Sequence, residues 1–507
     1  MRAFGATLAA ALAASFPCAG CAQLFGLHET TGGGSDTDGS VPPSDVSVEM
    51  QLISIGPTAA RTPYDVTSLA ANFLVADGST AAGVKRVKAT ATGDLWSAAI
   101  PDGKPPVEIN LGLDLPDLFR RLYSVQQRNL KVLYGIYGHI DDVAAPATGS
   151  LTVTLNLPSP SAANEGIQLY NVGGWANHGF AGGTDYTVGA QTIGPIAVPY
   201  TPATWGSISG RPLAQITAAD EIVGLRYVGN QLTGAAEFTP FAQSTTGANT
   251  LTATMTAVTA APLDVHVSPT NIDQRLAMPT PKGQTLAMSW SVNAAPGWEI
   301  ANGTGPQLNA AGILLTDTGA IAAPFGNPFA AKGWKSVFTL GTTKRRTFAV
   351  PSLGNLVGTF YCGLNEIAEV APGLTIDTPA ALPIVVSINS MPLATDGQNV
   401  ALDPTKSVQL AILADKTDAL FYQFNIYELR ENAAMTALET HVAYVAVSDQ
   451  AMVTIPNDVF VAGKTYFIRG HAIKGGYPSF SEGNFWTRNL PYSVGYLDAG
   501  VFTVSAP

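Results

Sequence analysis

Short runs of alternating apolar and polar residues, separated by turn residues, most constrain how this chain can fold. Alternation with a period of two residues is the pattern of β-strands that bury one face. Several such strands at hairpin-like spacing are typical of β-sandwiches, so the pattern predicts an all-β fold. In the first part of the chain the runs occupy residues 46–55, 68–75, 84–92, 107–113, 130–137 and 151–157.

The segment LPDLFRRLYSVQQ interrupts this pattern. Its apolar residues recur every three or four positions, which is helical spacing, and Pro116 is suited to the first turn of a helix. The apolar positions are Leu115, Leu118, Phe119 and Leu122. The segment therefore predicts one short helix, with Arg120 and Arg121 facing solvent.

The first twenty-one residues have the composition of an export signal. Arg2 precedes an apolar run of about fifteen residues, which is long enough for a signal peptide and short of the ~20 residues of a membrane-spanning helix. Ala19 and Gly20 come directly before Cys21. This ending resembles the lipobox of bacterial lipoproteins, and the resemblance implies that residues 1–20 are removed and that Cys21 carries the lipid.

One residue departs from the lipobox pattern, because Cys18 stands where Leu, Val or Ile is usual. The alternative is an ordinary secretory signal cut near Ala19 or Ala22, which would leave a soluble exported protein. Ala22 differs from the aspartate that acts as an inner-membrane retention signal in Gram-negative lipoproteins. The resemblance therefore implies a membrane partner through an N-terminal lipid, and an outer-membrane location.

Residues 21–45 are rich in glycine, serine and proline, and predict a flexible tether that carries the folded part away from the membrane. The whole chain has 26 basic and 37 acidic residues, a net charge of −11. Such a charge repels nucleic acid, so we expect no nucleic-acid partner. If Cys21 is lipidated, Cys362 is the only other cysteine after residue 20, and no intramolecular disulfide can form.

Two Thr-rich segments, GSLTVTLNL at 149–157 and NTLTATMTAV at 249–258, look like related strands that each close a module. Similar endings recur at 373–378 and 500–505. Together they divide the chain into four tandem modules, in line with sandwiches of ~100 residues each. The predicted modules are 46–160, 161–262, 263–380 and 381–507.

The last module contains a recognisable segment, Val453 to Ile473. A turn glycine, Gly463, precedes Tyr466 and an alternating strand that ends at Ala472. This arrangement resembles the region between strands E and F of fibronectin type III domains. The resemblance implies an immunoglobulin-like or fibronectin III-like sandwich in which the tyrosine hydroxyl bonds to upstream backbone. It implies a fold and no particular activity.

No short motif in the sequence indicates catalysis. The chain contains neither a G-x-S-x-G nucleophile elbow nor an H-E-x-x-H metal motif, and its six histidines are far apart in the sequence. We therefore predict no catalytic residue, no metal site and no cofactor.

Two local clusters are candidates for ligand contacts. Alternation places His139 and Asp141 on one face of a strand end, where they could bind a cation or share a proton, or form an ordinary polar strand end. Trp175 and His178 lie close together in a glycine-rich segment and could stack on a sugar ring, or be a packing tryptophan beside a surface histidine.

A third feature is the basic run Lys344-Arg345-Arg346. We expect it at the tip of a hairpin, either as a plain charged turn or as a contact for an anionic partner.

These observations predict an exported, lipid-anchored protein of the cell envelope built from tandem β-sandwich modules. It would act by binding an envelope protein or a glycan, or as a structural spacer. The alternative is a surface hydrolase, for instance one that degrades polysaccharide, with a site built from distant loops.

Overall fold

The computed structural model describes most of the chain from residue 45 onward. The described residues are 45–55, 61–76, 84–100, 105–111, 119–124, 129–137, 145, 149–172, 176–207, 213–244, 248–279, 285–295, 305–313, 319–321, 323–376, 380–432, 434, 437–475 and 490–505. They consist mainly of β-strands, as the alternating pattern predicts.

The first sandwich comprises residues 45–137. Its strands are β1 (Asp45–Ile55), β2 (Arg61–Pro63), β3 (Ala71–Ala76), β4 (Val84–Lys88), β5 (Thr90–Thr92), β6 (Leu95–Ala99), β7 (Val107–Leu111), β8 (Phe119–Ser124) and β9 (Asn129–Tyr137). One sheet has the order β2-β1-β6-β5, with β9 parallel to β1, and the other has β8-β7-β3-β4. Val48 and Trp96 of the first sheet pack in one core with Phe73 and Ile109 of the second.

The second sandwich comprises two sheets between residues 149 and 257. Its strands are β10 (Ser150–Asn156), β11 (Glu165–Asn171), β12 (Ala176–Phe180), β13 (Thr192–Pro199), β14 (Gly206–Ser207), β15 (Ile222–Val228), β16 (Gln231–Glu237), β17 (Ala248–Thr254) and β18 (Thr256–Ala257). The sheet orders are β13-β10-β17 and β14-β12-β11-β15-β16-β18. Val153 and Leu155 of the first sheet pack in one core with Ile167 and Leu169 of the second.

The two Thr-rich segments singled out in the sequence are neighbours in this second sandwich. Strand β10 pairs in parallel with β17, from Ser150 opposite Ala248 to Asn156 opposite Thr254. The predicted boundary at residue 160 assigns β10 to the first module. In the structure β10 packs in the core of the second sandwich. The module boundaries otherwise remain a prediction.

The third part, residues 261–376, contains one long sheet and several short strands. Its elements are β19 (Ala261–Pro262), β20 (Val265–Val267), helix α1 (Pro269–Leu276), β21 (Thr285–Ala295), β22 (Gln307–Ile313), β23 (Gly319–Ile321), β24 (Pro324–Phe325), β25 (Lys335–Val350), β26 (Leu356–Glu369) and β27 (Leu374–Ile376). Trp290 of β21 stacks on Phe338 of β25 with ring centroids 6.3 Å apart.

The fourth part is a sandwich of the predicted fibronectin III-like kind. Its strands are β28 (Pro383–Ile388), β29 (Met391–Pro392), β30 (Gln398–Ala401), β31 (Val408–Ala414), β32 (Phe421–Glu431), β33 (Leu438–Ser448), β34 (Met452–Ile455), β35 (Thr465–Gly475), β36 (Tyr492–Asp498) and β37 (Phe502–Ser505). The sheet β29-β28-β31-β34 packs against β36-β35-β32-β33, with Leu410 and Ile455 facing Phe424 and Ile468 in one core. The all-β sandwich fold is confirmed.

The corner tyrosine behaves as the resemblance implies. The hydroxyl oxygen of Tyr466, at the start of β35, accepts a hydrogen bond of 3.1 Å from the backbone N–H of Val461. Tyr466 is 1% exposed and its ring packs edge-on against Phe460. The bond therefore fixes the corner at which the chain passes from β34 in one sheet to β35 in the other.

The sandwiches are not separate units on a string, because one sheet of fourteen strands runs through three parts of the chain. Strand β26 pairs with one edge of the fourth sandwich at β36, and β8 pairs in parallel with the other edge at β33. Both edges of the four strands β36-β35-β32-β33 are thus covered by strands from other parts of the chain. Covering the edges removes the unpaired backbone groups that would otherwise promote aggregation.

Two sequence predictions are wrong. The predicted helix is contradicted from residue 119 onward, because Phe119–Ser124 forms strand β8, and Arg121 is 0% exposed and not at the surface. Strand β8 pairs with β7 on one side and with β33 on the other, and this pairing overrides the helical spacing. Lys344–Arg346 lies inside the sixteen-residue strand β25 and not at a hairpin tip, since β25 pairs along its whole length with β26.

Candidate functional site

Four of the predicted functional residues lie outside the described part of the chain. They are Cys21, His139, Asp141 and Trp175. Their roles in lipidation and in ligand contact therefore remain predictions.

His178 lies on β12 and is held by a hydrogen bond. Its Nδ1 is 2.9 Å from the carbonyl oxygen of Thr204, and the Nδ1–H donates to that oxygen. The ring contacts Phe180 edge-on at 5.0 Å and Trp205 at 5.8 Å. Phe180 and Trp205 are 5% and 1% exposed, so their faces are not open to a sugar ring, and only the half-buried His178 reaches solvent.

The join between β8 and β33 is clamped by a group of charged side chains. Glu108 of β7 is 2% exposed and accepts hydrogen bonds from Arg86 Nε at 3.0 Å and from the Tyr444 hydroxyl at 2.8 Å. Asp458 accepts from Arg86 at 3.0 Å and from Arg120 at 2.9 Å. Because Arg86 bonds to both acids, this cluster ties the first sandwich to the fourth.

The edge strand β22 is covered by the hairpin turn of β15 and β16. The side-chain amide of Asn230 donates to the Ala310 carbonyl at 3.2 Å, and Gln307 Nε2 donates to the Asn230 carbonyl at 2.9 Å. Lys332 pairs with Glu221 and, at 2.8 Å, with Glu237. These contacts tie the second sandwich to the third part of the chain.

The basic run in β25 is used inside the protein. Lys344 pairs with Asp273 at 2.9 Å, and Arg346 pairs with Asp396 while lying over the Phe360 ring at 4.6 Å. The guanidinium of Arg345 lies 6.0 Å from the centre of the Tyr361 ring. The run therefore helps to join the third part to the fourth, and the structure gives no support for a free basic patch there.

Two adjacent rows of residues, most of them polar, cross the sheet where β26 joins β36. The first row contains Gly363, Tyr496, His471 and Gln423, and the second contains Arg345, Tyr361, Asp498, Arg469 and Asn425. Most of these side chains are nevertheless buried: Asp498 is 1% exposed, and Gln423, Asn425, Arg469 and His471 are each under 9%. We call this set the polar rows.

A buried ion pair lies at the centre of the polar rows. Arg469 Nη2 donates to Asp498 Oδ2 at 2.8 Å, and the same oxygen accepts the Tyr361 backbone N–H at 2.9 Å. The guanidinium of Arg469 also lies 5.8 Å from the ring centres of Tyr427 and Tyr496. The ion pair, with its hydrogen bonds and ring contacts, therefore links β26, β32, β35 and β36.

His471 is neutral in this setting. Its burial, and then the neighbouring charge of Arg469, lower the pKa of His471 to about 3. Its Nδ1 and the Gln423 side-chain oxygen, opposite it on β32, are buried without a hydrogen-bond partner. A hydrogen bond with the Gln423 backbone favours the protonated ring but is the smallest of these effects, so the fold favours the neutral ring.

A second titratable group, Glu366, lies where β26 joins β36. Burial raises the pKa of Glu366 to about 7, although a hydrogen bond from Ser493 and the charge of Lys474 act in the opposite direction. One carboxyl oxygen of Glu366 is buried and has no hydrogen-bond partner. The carboxyl group therefore takes up a proton near neutral pH, as a carboxyl in a dry environment does.

Replacing Glu366 with Gln is expected to remove a loss of stability that occurs as the pH rises. The folded-state pKa is above the unfolded value of 4.5, so the native state binds more protons between pH 4.5 and about 7. Stability from this group is therefore fully present below pH 4.5 and declines as pH rises to 7, by about 3 kcal/mol at most. Urea unfolding from pH 4 to 8 measures the difference between the two proteins.

The matched control is Glu369→Gln, further along the same strand, at an exposed position paired with Lys335 at 2.7 Å. It is expected to leave the pH profile almost unchanged. An E366Q protein that follows the wild-type profile at every pH would contradict the burial of an ionisable group at this join.

Sequence reasoning missed the polar rows and the clamps at the joins. Gln423, Asn425 and Tyr427 alternate along β32, which from sequence alone indicates a solvent face. In the structure these three side chains are buried, and Gln423 and Asn425 belong to the rows that cross β26, β36, β35 and β32 in that order. No local signal links Arg469 to Asp498 or Glu108 to Tyr444, because the two members of each pair lie on different strands.

Within the described ranges, no group of three or more His, Cys, Asp or Glu side chains is placed to hold a metal ion. No described helix is long and apolar enough to cross a membrane.

Comparisons with known proteins do not identify a family for this chain. No protein-family model matches the chain, and no curated protein matches it. The FN1-FN3 domains of chicken CNTN1 are 9% identical, with a TM-score of 0.13, and the match covers 69% of this chain and 98% of that one. The Escherichia coli alpha-2-macroglobulin activated by porcine elastase is 8% identical, with a TM-score of 0.14, and the match covers 91% of this chain and 44% of that one. Scores this low carry no argument about fold or function.

Proposed function

We propose that this protein is exported and lipid-anchored in the cell envelope, and that it acts by binding or as a spacer and not by catalysis. The observation that carries the proposed binding or spacer role is the single sheet that joins three parts of the chain. A sheet of this kind fixes the distance and orientation between surfaces on the different sandwiches. Fixed separation is what a spacer or a binding platform requires, and a flexible string of modules would not provide it.

The clamps at the joins support the same proposal. Glu108 and Asp458 hold the first sandwich, Lys332 holds the second, and Arg346 with Asp396 holds the third part of the chain. Each of these carboxylates is engaged by a cation. A hydrolase that acts on polysaccharide would instead need two carboxylates free in a cleft, about 5 to 9.5 Å apart.

The anchor rests on the sequence before residue 22. Two or more acyl chains on Cys21 would hold the protein stably, since each buried methylene adds ~0.8 kcal/mol of membrane affinity. The residues between Cys21 and β1 would then separate the sandwiches from the bilayer. The outer membrane is the location proposed, because Ala22 differs from an inner-membrane retention signal.

Cys21→Ala is expected to abolish lipidation and the signal cleavage that depends on it. Cells are grown with labelled palmitate, and the membrane fraction is assayed for label on the protein. Wild type should be labelled and should accumulate as a precursor when globomycin blocks lipoprotein signal cleavage. The variant should carry no label and should not be processed to the length of the mature wild-type protein.

Cys18→Ala is the matched control, and it is expected to retain the label because Cys18 belongs to the removed segment. Labelling or processing of the Cys21→Ala protein as in wild type would refute the anchor.

A further inference from the structure

In the sheet β13-β10-β17, the outer faces of strands β10 and β17 carry a regular array of hydroxyl groups. Parallel pairing places Thr152 opposite Thr250 and Thr154 opposite Thr252, and the next pair is Asn156 opposite Thr254. Equivalent positions along a strand are about 6.6 Å apart, and neighbouring strands are about 4.8 Å apart. The two Thr-rich segments of the sequence therefore form a two-dimensional lattice.

This face points away from the core. The alternate residues of the same strands, Val153, Leu155 and Leu251, are at most 3% exposed and pack inside the second sandwich. By contrast Thr250 and Thr252 are exposed, and the residues of β10 between the buried ones are half-buried. The hydroxyls are accordingly accessible to a ligand that lies across the strands.

One end of the array is held in place by Asn156. Its side-chain oxygen accepts a hydrogen bond of 3.1 Å from the Thr192 hydroxyl, and its amide lies 3.5 Å from the Thr254 hydroxyl. This row connects all three strands. It fixes the side chains at that end, so a ligand would meet hydroxyls that are already ordered.

The face carries no charge, in a protein whose net charge is −11. Strands β10, β13 and β17 contain no Asp, Glu, Lys or Arg. The outward side chains of β10 and of β17 from residue 250 onward are Ser, Thr and Asn, without an aromatic or large aliphatic anchor. A protein partner usually needs such an anchor at the centre of its interface, and an acidic polymer would find no cation.

We propose that this face binds a neutral, unbranched polysaccharide that lies across β10 and β17. This inference rests on the proposed envelope function and adds a ligand class to it. Threonine hydroxyls both donate and accept, as sugar hydroxyls do. Each such bond contributes only about 0.5–1.5 kcal/mol net, so binding depends on many contacts along one polymer chain.

The test uses the full-length mature protein and insoluble polymers. Depletion from solution is measured with cellulose, chitin and granular starch as neutral probes, and with calcium alginate gel as an acidic probe. The variant is Thr152→Val/Thr154→Val/Thr250→Val/Thr252→Val, which keeps the shape and the strand preference of each side chain and removes the hydroxyl. Circular dichroism and urea unfolding establish that the variant is folded.

The control is Thr90→Val/Thr92→Val, which removes two exposed strand hydroxyls on β5 in the first sandwich. Wild type and control should be retained on at least one neutral polymer and not on alginate. The four-site variant should bind that polymer about tenfold or more weakly.

Three results would overturn the inference: no retention on any neutral polymer, equal retention of the folded four-site variant, or retention on alginate alone. Loss of a wild-type dimer in the four-site variant, without any polymer binding, would identify the face as a contact between two copies and would also overturn it. Palmitate labelling of Cys21 is independent of these results. A labelled, membrane-bound protein that binds no polymer would therefore remove this inference and leave the proposed anchor standing.

Discussion

Arg469→Met is expected to lower the free energy of unfolding by about 3–5 kcal/mol. The substitution leaves Asp498, which is 1% exposed, as a buried carboxylate without its cation. Methionine occupies much of the space of the arginine methylenes between Tyr427 and Tyr496, so lost packing is a minor part of the change. Equilibrium urea unfolding, followed by circular dichroism at pH 7, measures the loss.

Two further variants separate the buried charge from other effects. The double variant Arg469→Met/Asp498→Leu should recover much of the stability, because apolar replacement of a buried ion pair is often neutral. Lys474→Met breaks a pair with Asp418 in which both side chains are more than a third exposed, and should cost under about 1 kcal/mol. An Arg469→Met protein as stable as Lys474→Met would show that the Asp498 carboxylate is not buried as described.

Gly363→Ala is expected to destabilise the join between β26 and its neighbours by about 3 kcal/mol. A Cβ at this position would lie 2.1 Å from the backbone oxygen of Thr342 and 2.5 Å from the Tyr496 hydroxyl. The first atom is part of strand β25, so relieving the contact means moving the backbone of a paired strand. The unfolding midpoint in urea, and protease cleavage between the third and fourth parts, report the change.

Gly166→Ala is the matched control, since it lies in strand β11 and its Cβ would meet no atom within 4 Å. That substitution should be neutral or slightly stabilising, because alanine loses less conformational entropy than glycine. If the two alanine variants unfolded at the same urea concentration, the close approach of the Thr342 backbone oxygen to Gly363 would be disproved.

The local sequence pattern was sufficient to predict individual strands, but it did not predict which strands pair with each other. The alternating runs of the first 160 residues correspond to β1, β3, β4 with β5, β7, β9 and β10. The helical spacing of Phe119 and Leu122 was misleading, because in the structure that segment completes a sheet between β7 and β33. Arg121, expected in solvent, is fully buried for the same reason.

The candidate sites also divide into those that a local sequence signal predicts and those that have no such signal. Cys21 is named by a local signal, and the corner at Tyr466 was predicted from a local resemblance and is confirmed by its hydrogen bond to Val461. The clamp at Glu108 and the ion pair of Arg469 with Asp498 have no local signal. Their partners come from other strands, and the chemistry exists only where the strands meet.

The sequence by itself determined that this chain forms β-sandwiches, because a period of two residues is a property of each strand alone. It also determined the resemblance to a lipoprotein signal. Only the tertiary structure decided that β10 and β17 lie side by side, and that one sheet runs through three parts of the chain. The physical reason is that backbone hydrogen bonding between strands is the same for any pair, so the choice of neighbours depends on how distant surfaces pack together.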